Sequence, residues 1–327
     1  MITRRNMLLS VAAASVTTPA VSRGAFAQGA WPRRDIHAIC GFPPGTGADI
    51  FVRFYAKMLQ DRIGKTVVTE NRAGAFGNIA TQYVAKAKPD GYTIHINPAS
   101  SFLAAAPALF KKLSFDPIND FEHITTLAKL PFLLIVAADG PYKNVPDLVS
   151  ALKRKGNKGF YGSIGNTGLV GSELFKQNFG LSTTEVKYKD AGSLVNDLLG
   201  GNLDFAHLDP GSSAGQMKAG KVTALATTSK DRFKALPDVM SASEAGISNS
   251  DLIAWWSVQV PKGTPKPVLE RLETEFNAIA ASDEHRQFAN QLGNDPFIGN
   301  STLVKELLAK DIKAWRDYVK VAKIEPI

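Results

Sequence analysis

Residues 36–49 read IHAICGFPPGTGAD, a short apolar run that passes into a segment rich in glycine and proline. The apolar run is typical of a buried strand, and a helix is predicted after it because Ile50, Phe54 and Met58 recur four residues apart. Asp49 stands immediately before these residues and is the expected N-cap. A strand that leads through a glycine-rich loop into a helix is half of a βαβ unit, so this stretch predicts an α/β fold.

The same succession of strand, loop and helix recurs along the chain. Residues 66–69 and 92–96 are further strand candidates, and residues 160–164 run into a second glycine-rich turn, Gly165-Asn166-Thr167-Gly168. Later strand candidates are residues 132–136, 185–188, 203–206 and 222–226, and residues 267–282 and 303–321 have the pattern of helices. This alternation predicts mixed, mostly parallel sheets flanked by helices.

Two breaks in the alternation predict two lobes. They fall near residues 127–131 and near residues 248–254. We therefore expect residues 28–128 together with 253–327 to form lobe 1, and residues 129–252 to form lobe 2. Ligands of open α/β sheets bind beyond the carboxyl ends of the strands, so the expected site is a cleft between the lobes.

The composition limits the possible partners and cofactors. The 327 residues include 38 Lys and Arg against 30 Asp and Glu, a formal net charge of +8 that suits binding of small anions. No basic stripe with interleaved aromatic residues predicts nucleic-acid binding. The single cysteine, Cys40, excludes a disulfide framework, and we expect neither a metal nor another cofactor. His95 and His207 lie in strands and are expected to be satisfied packing residues.

The N-terminus has the pattern of an export signal. Arg4 and Arg5 precede an apolar stretch over residues 7–14, and Ala25-Phe26-Ala27 offers a small-residue cleavage site. The arginine pair also matches a twin-arginine signal. We expect residues 1–27 to be removed and the mature protein to act in the periplasm.

Two motifs suggest other classes of protein. Residues 45–50 nearly match a dinucleotide-binding fingerprint, but isoleucine replaces the third glycine and two prolines before the motif remove backbone donors. Gly211-Ser212-Ser213-Ala214-Gly215 satisfies the G-x-S-x-G pattern of a hydrolase nucleophile. The only later histidine, His285, lies in a segment with the pattern of a solvated helix start, so a flexible turn is the preferred interpretation. A secreted α/β serine hydrolase that uses Ser213 is the alternative.

The two glycine-rich loops predict anion binding. A loop that leads into a helix presents unpaired backbone N–H groups together with the positive end of the helix dipole. Gly45, Gly47 and Gly168 permit the close approach that such a nest of amides requires. Two such loops facing each other across a cleft would bind a molecule with a carboxylate at each end. Each loop taken alone is also explained as a tight turn between a strand and a helix.

A series of short motifs spans residues 31–327 in a fixed order. They are Phe42-Pro43-Pro44-Gly45 with Asp49, Glu70-Asn71-Arg72-Ala73-Gly74-Ala75, Ala87-Lys88-Pro89-Asp90-Gly91-Tyr92-Thr93, Asp116-Pro117 with Asp120-Phe121, Tyr188-Lys189, Asp197-Leu198-Leu199-Gly200-Gly201, Glu244-Ala245-Gly246, and Ala254-Trp255 leading to Pro261-Lys262-Gly263-Thr264-Pro265. Each motif is short, but their number and order are specific. In these motifs the chain resembles the extracytoplasmic substrate-binding receptors of tripartite tricarboxylate transporters, the Bug family.

The resemblance implies a two-lobed, periplasmic-binding-protein-like fold of type II that closes about a hinge. It implies a receptor without catalysis, which captures a small organic carboxylate and delivers it to the membrane permease subunits of such a transporter. We expect a monomer. In the family, ligand contacts come largely from the two glycine-rich loops, and a further cleft position matches Asp209. The expected ligand-binding residues are Phe42, Pro44, Gly45, Thr46, Gly47, Ala48, Asp49, Phe76, Ser100, Ser163, Asn166, Thr167, Gly168, Tyr188 and Asp209.

The chain departs from the family's usual pattern at this expected site. In Gly45-Thr46-Gly47-Ala48-Asp49 a hydroxyl is displaced by one position, and Thr167-Gly168-Leu169 lacks a polar residue of the second loop. Phe76 stands where glycine is usual and adds an aromatic ring. These changes predict a ligand that is flatter or more apolar than citrate, such as an aromatic carboxylate that stacks on Phe42 or Phe76.

Overall fold

The computed structural model describes residues 31–248 and 250–327, so the predicted export signal lies outside the described residues. The strands are β1 (Ile36–Cys40), β2 (Val67–Asn71), β3 (Thr93–Asn97), β4 (Phe121–Pro131), β5 (Leu133–Ala137), β6 (Phe160–Ser163), β7 (Thr184–Lys187), β8 (Phe205–Leu208), β9 (Val222–Thr227), β10 (Ile253–Pro261) and β11 (Asp295–Pro296). The helices are α1 (Gly47–Ile63), α2 (Asn78–Ala85), α3 (Ala99–Phe102), α4 (Ala106–Leu109), α5 (Val145–Lys155), α6 (Gly165–Phe179), α7 (Ala191–Leu199), α8 (Pro210–Lys218), α9 (Lys266–Ala280), α10 (Asp283–Gln291) and α11 (Ser301–Val321). No helix in this part of the chain is long and apolar enough to cross a membrane.

The strands form two mixed sheets flanked by helices. The strand order is β11-β4-β10-β3-β1-β2 in the first sheet and β7-β6-β8-β5-β9 in the second. Parallel pairing is confined to β1 with β2 and β3, and to β6 with β7 and β8. The two-lobed α/β architecture is thus confirmed, whereas the expectation of mostly parallel sheets is wrong. Antiparallel pairs enter because β4 and β5 follow each other without a helix and β10 returns from the second sheet.

Two long strands that the sequence analysis missed carry the chain between the sheets. β4 and β10 pair antiparallel along their whole lengths, and only Phe132 separates β4 from β5. The residues of β4, FEHITTLAKLP, are nearly all buried, so the strand lacks the alternation of a half-exposed strand. The two predicted breaks therefore fall where β4 ends and where β10 begins. The lobe boundaries at 128/129 and 252/253 stay predictions.

β1 and α1 form because their apolar residues share one core. Ile36, Ala38 and Cys40 alternate along β1 and are fully buried with the apolar face of α1. Phe51 of α1 packs against Trp256 of β10 with ring centroids 4.3 Å apart. Burial of one such side chain contributes roughly 1.5–3 kcal/mol. α9 completes this core, and α3, α4 and α11 belong to a second apolar cluster of the molecule.

Four of the five histidines are buried. His95 in β3 and His207 in β8 are packing residues, and burial lowers the pKa of each to about 3. His207 Nδ1 lies 3.0 Å from Ser172 Oγ, but neither ring nitrogen of His95 has a partner among the described residues. The expectation of a satisfied histidine is therefore wrong for His95. His285 is not solvated as predicted, because α10 packs its ring inward, where Nδ1 lies 2.7 Å from the carbonyl oxygen of Ala280.

We expect the buried histidines to make the protein sensitive to mild acid. Because the folded state depresses the pKa of His95 and His207, their contribution to stability is complete above the ordinary histidine pKa and is lost as pH falls below it. Each contributes a slope of about 1.4 kcal/mol per pH unit between about pH 6.5 and pH 4. Urea unfolding at several pH values measures this slope, and His207→Gln should reduce it. A free energy of unfolding that stays constant over this range would contradict the prediction.

Candidate functional site

The predicted ligand-binding residues lie at the carboxyl ends of the parallel strands. In the first sheet β2, β1 and β3 are neighbours, and in the second sheet β7, β6 and β8 are neighbours. Parallel strands bring their carboxyl ends to the same edge of a sheet. Each predicted residue lies at the end of one of these six strands, in the following loop or in the first helical turn after it.

Thr46, and not Asp49, is the N-cap of α1. The Thr46 hydroxyl accepts a hydrogen bond from the amide of Asp49 at 3.2 Å and donates to the carbonyl oxygen of Pro43 at 2.9 Å. Asp49 lies in the first turn, and its Oδ2 accepts a hydrogen bond from the amide of Gly45 at 2.9 Å. Gly45 has a φ of 80°, which glycine adopts without strain. Residues of this loop and of the first turn of α1 therefore satisfy part of the hydrogen-bonding capacity of the loop backbone.

The carboxylate of Asp49 is held by two further side chains. Arg53 Nε donates to Oδ2 at 2.9 Å, and Asn71 Nδ2 donates to Oδ1 at 2.7 Å. Burial opposes ionisation, but the hydrogen bonds from Arg53, Asn71 and Gly45 outweigh it and keep the pKa of Asp49 below its usual value. Asn71 also donates to the carbonyl oxygen of Phe42 at 2.9 Å. Asp49 thus fixes the shape of the loop, and its contact with a ligand stays a prediction.

Two stacked aromatic rings connect the loop after β1 with α3 at the same edge of the sheet. The Phe42 ring stacks on Phe102 of α3, with centroids 4.9 Å apart and planes 23° apart. Gly41 and Gly77 lie against the same ring, since a Cβ atom would be 2.3 Å from Phe102 at Gly41 and 2.2 Å from it at Gly77. Glycine is required at both positions because any larger residue would displace the ring.

Phe76 lies in an unusual backbone segment after β2. Four consecutive residues have positive φ: Gly74 at 127°, Ala75 at 45°, Phe76 at 51° and Gly77 at 83°. Ala75 and Phe76 are strained there, because side chains with a Cβ atom rarely adopt this conformation. The Phe76 side chain is 47% exposed. An exposed aromatic ring on a strained loop at the edge of a site is a candidate ligand contact.

The second loop differs from the first because α6 has no side-chain cap. Its N-cap is Ile164, no side chain bonds to it, and its first turn holds no acidic residue. Among the described residues, the amides of Asn166 and Thr167 donate no hydrogen bond. Gly168 lies against β8, where a Cβ atom would be 2.7 Å from the carbonyl oxygen of His207. The start of α6 is therefore held tightly against its sheet with two backbone donors left without a partner among the described residues, and anion binding there stays a prediction.

The remaining predicted residues of the second sheet are bonded internally. The Ser163 hydroxyl donates to Glu185, and the Tyr188 hydroxyl donates to Asp197. Asp209 caps α8, accepting from the amide of Ser212 at 2.9 Å and from its hydroxyl at 2.6 Å. These side chains support the edge of the sheet, and their contact with a ligand stays a prediction.

The two edges meet at Ser100 and Thr167. Both residues line one small cavity of about 20 Å³, large enough for a single water molecule, with residues 251–254 and part of α11. Ser100 Oγ accepts a hydrogen bond from the amide of Trp255 at 3.2 Å, beside the point where the chain returns from the second sheet. Ser100 of the first edge and Thr167 of the second thus lie close together, and their place in a ligand-binding cleft stays a prediction.

Sequence reasoning missed three residues that shape the site. Arg53 and Asn71 hold Asp49, and Phe102 supports Phe42. Asn71 lies in a motif quoted above, but nothing in the motif indicates that its amide bridges two loops. Phe102 gives no signal in sequence, because its ring contacts residues that are far from it along the chain.

Ser213 is not a nucleophile. The G-x-S-x-G motif lies inside α8 and not at a turn between a strand and a helix. The Ser213 hydroxyl is fully buried and donates to the main-chain oxygen of Asp209 at 2.8 Å. The hydrolase alternative is therefore wrong.

The fold defines a two-lobed protein of the periplasmic-binding-protein type, with the candidate site at the carboxyl edges of its two sheets. The family model described as tripartite tricarboxylate transporter family receptor matches residues 51–324. The chain belongs to this family, whose members are periplasmic solute-binding receptors and not enzymes.

Three solved structures are similar to this chain. Rpa4515 of R. palustris with adipate is 31% identical, with a TM-score of 0.82 over 91% of this chain and 100% of that one. The periplasmic binding protein BugD is 28% identical, with a TM-score of 0.79 over 91% and 100%. MatC (Rpa3494) from Rhodopseudomonas palustris with bound malate is 25% identical, with a TM-score of 0.77 over 88% and 99%.

We expect Gly168→Ala to lower the free energy of unfolding by about 1–3 kcal/mol, because the new methyl group would collide with the carbonyl oxygen of His207. Gly215→Ala is the matched control. Gly215 lies in α8 with open space around it, so the change should be neutral or stabilise the protein by up to about 1 kcal/mol. Chemical denaturation measures both values. Equal stability of the two variants would show that α6 does not press on β8.

Proposed function

We propose that this receptor captures a small organic carboxylate between its two lobes, closes over it about a hinge and delivers it to a tripartite tricarboxylate transporter permease. The observation that carries the proposal is the uncapped start of α6 at the carboxyl edge of the second sheet, where Thr167 shares a small cavity with Ser100 of the first edge. The adipate and malate named for two similar structures support the ligand class.

The start of α6 is proposed as the main carboxylate site. The free amides of its first turn and the positive end of the helix dipole favour a negative charge. A charge-assisted hydrogen bond contributes about 1.5–3 kcal/mol, so the two bonds at α6 contribute about 3–6 kcal/mol. Micromolar binding corresponds to about −8 kcal/mol, so contacts from the first edge must supply the rest. The backbone amides of Asn166 and Thr167 are the donors, and Gly168 allows α6 to lie close against β8.

The loop after β1 is proposed to bind the other end of the ligand less strongly through charge. Its Gly45 amide is already bonded to Asp49, and the Asp49 amide is bonded to Thr46. This loop offers the amides of Gly47 and Ala48 together with the Phe42 ring. The two glycine-rich loops, which the sequence predicts to bind the two ends of the ligand in the same way, are therefore proposed to differ. The start of α6 binds a carboxylate through amides, whereas the first loop combines amides with an aromatic ring.

The aromatic groups of the first edge support a flat or apolar ligand. Phe42 is backed by Phe102, which holds its ring in place, and Phe76 is exposed beside them. An aromatic carboxylate would stack on such a wall and contribute about 0.5–1.5 kcal/mol beyond the burial of its area. We propose an aromatic mono- or dicarboxylate that places its carboxylate at α6.

The place of action and the partner complete the proposal. We propose export to the periplasm by a signal that is cleaved near Ala27, and action there as a monomer without a cofactor. The partners are a small organic carboxylate and the membrane permease subunits, with no nucleic acid. The similarity to the periplasmic binding protein BugD supports this location.

We expect Asn166→Asp to weaken carboxylate binding at least about ten-fold, because a negative charge in the first turn of α6 repels an anion and competes for its amides. The same change should stabilise the protein by about 0.3–1 kcal/mol, because it complements the helix dipole. Calorimetry and thermal unfolding measure the two effects, with Asn166→Ala as the neutral control. If Asn166→Asp binds as tightly as Asn166→Ala, α6 is not the carboxylate site.

Calorimetry with terephthalate, benzoate, adipate and citrate tests the proposed ligand class. We expect a ring-containing acid to bind at least about ten-fold more tightly than citrate. Phe76→Gly should reduce this preference while raising stability by about 1 kcal/mol, because glycine removes the strain of positive φ. Tight citrate binding without a response to the aromatic acids would exclude the aromatic ligand.

A further inference from the structure

A cluster of exposed apolar side chains lies on α2 and the loop before it. Phe76, Ile79 and Tyr83 are 47%, 49% and 39% exposed. Ile79 and Tyr83 are one helical turn apart on the same side of α2, and Phe76 lies two residues before the helix. These three residues, with the cations described next, are called the α2 face.

Four cations surround this cluster. Arg34, Arg72, Lys86 and Lys88 line one open groove with Ile79 and Tyr83, and its volume is about 710 Å³. The Arg72 guanidinium stacks on the Tyr83 ring, 3.5 Å from its centroid. Arg34 is paired with Asp90 and Arg72 with Glu70, so Lys86 and Lys88 supply the charge that has no ion-pair partner among the described residues.

We propose that the α2 face docks the receptor onto an acidic periplasmic loop of the permease that inserts an apolar side chain between Ile79 and Tyr83. The inference rests on the proposed function for the presence of a permease. The proposed ligand site uses Phe76 but gives no role to the exposed side chains of Ile79 and Tyr83. Apolar side chains rimmed by like charges are typical of surfaces that bind a protein partner.

The charge and shape of the α2 face favour an acidic loop of the permease over other partners. A second copy that docked through the same face would bring Lys86 and Lys88 against their own counterparts, so like charges would meet. The groove is open and lined by four cations around Ile79 and Tyr83, so an acidic segment that carries an apolar side chain complements it. The face also begins at Phe76, on the edge that contains the predicted ligand contacts, so a docked partner would lie beside the opening of the cleft.

Photo-crosslinking in spheroplasts of the host tests the proposal. Tyr83→p-benzoylphenylalanine should crosslink to a permease subunit, identified by mass spectrometry, and the same replacement of Phe160 should not. Phe160 is a matched control because it is also 39% exposed but lies on the second sheet. A crosslink to a second receptor copy, to lipid alone or to no protein would overturn the proposal.

Charge reversal supplies the second measurement. Lys86→Glu with Lys88→Glu should reduce carboxylate uptake about ten-fold, while calorimetry gives a dissociation constant within about two-fold of the unaltered receptor. Lys218→Glu with Lys221→Glu, at two exposed lysines near the end of α8, is the control and should change neither value. Unchanged uptake by the first variant would overturn the proposal. If the unaltered receptor binds no carboxylate in calorimetry, the proposed function itself is contradicted.

Discussion

The carboxylate of Asp49 is the point on which the first edge of the site depends. It accepts hydrogen bonds from the amide of Gly45 and from the side chains of Arg53 and Asn71, which belong to three different parts of the chain. Asn71 at the end of β2 then bonds the carbonyl oxygen of Phe42. A loop with two prolines has few amides of its own with which to make a turn. The Asn71 amide supplies a donor to this loop, and the buried carboxylate of Asp49 holds Asn71 and Gly45 in place, so the position of the Phe42 backbone is fixed.

The two helix starts at the cleft are satisfied in opposite ways. α1 is capped by Thr46 and has Asp49 in its first turn, so its positive end is largely neutralised within the protein. α6 has neither a side-chain cap nor an acid, and its charge is left for a ligand. Under the proposed function, this difference favours a ligand with one strongly bound carboxylate and a second end whose chemistry can vary. Variation at the aromatic edge would change specificity without altering the fold.

The sequence predicts the elements that have a local signal. β1, β6 and α11 lie within two residues of their predicted limits, because apolar periodicity and glycine-rich boundaries define them. The strands β4 and β10 were missed, because strands buried on both faces do not alternate. The choice of Thr46 over Asp49 as the N-cap was also beyond the sequence. Both residues suit a cap, and the contacts of Asp49 with Arg53 and Asn71 decide between them.

Packing around Phe102 links the Phe42 ring to the α2 face, so these two parts of the molecule should move together. Its ring stacks on Phe42 and leaves no room for a Cβ atom at Gly41 or at Gly77, the residue before α2. Phe102 cannot turn without displacing both loops, and the second of these loops contains the strained residues Ala75 and Phe76. A ligand that stacks on Phe42 would therefore leave Ile79 and Tyr83 of the α2 face in place. A partner bound at the α2 face could distinguish loaded from empty receptor in two ways: through Phe76, which the ligand is proposed to contact, and through the second lobe, which moves when the lobes close.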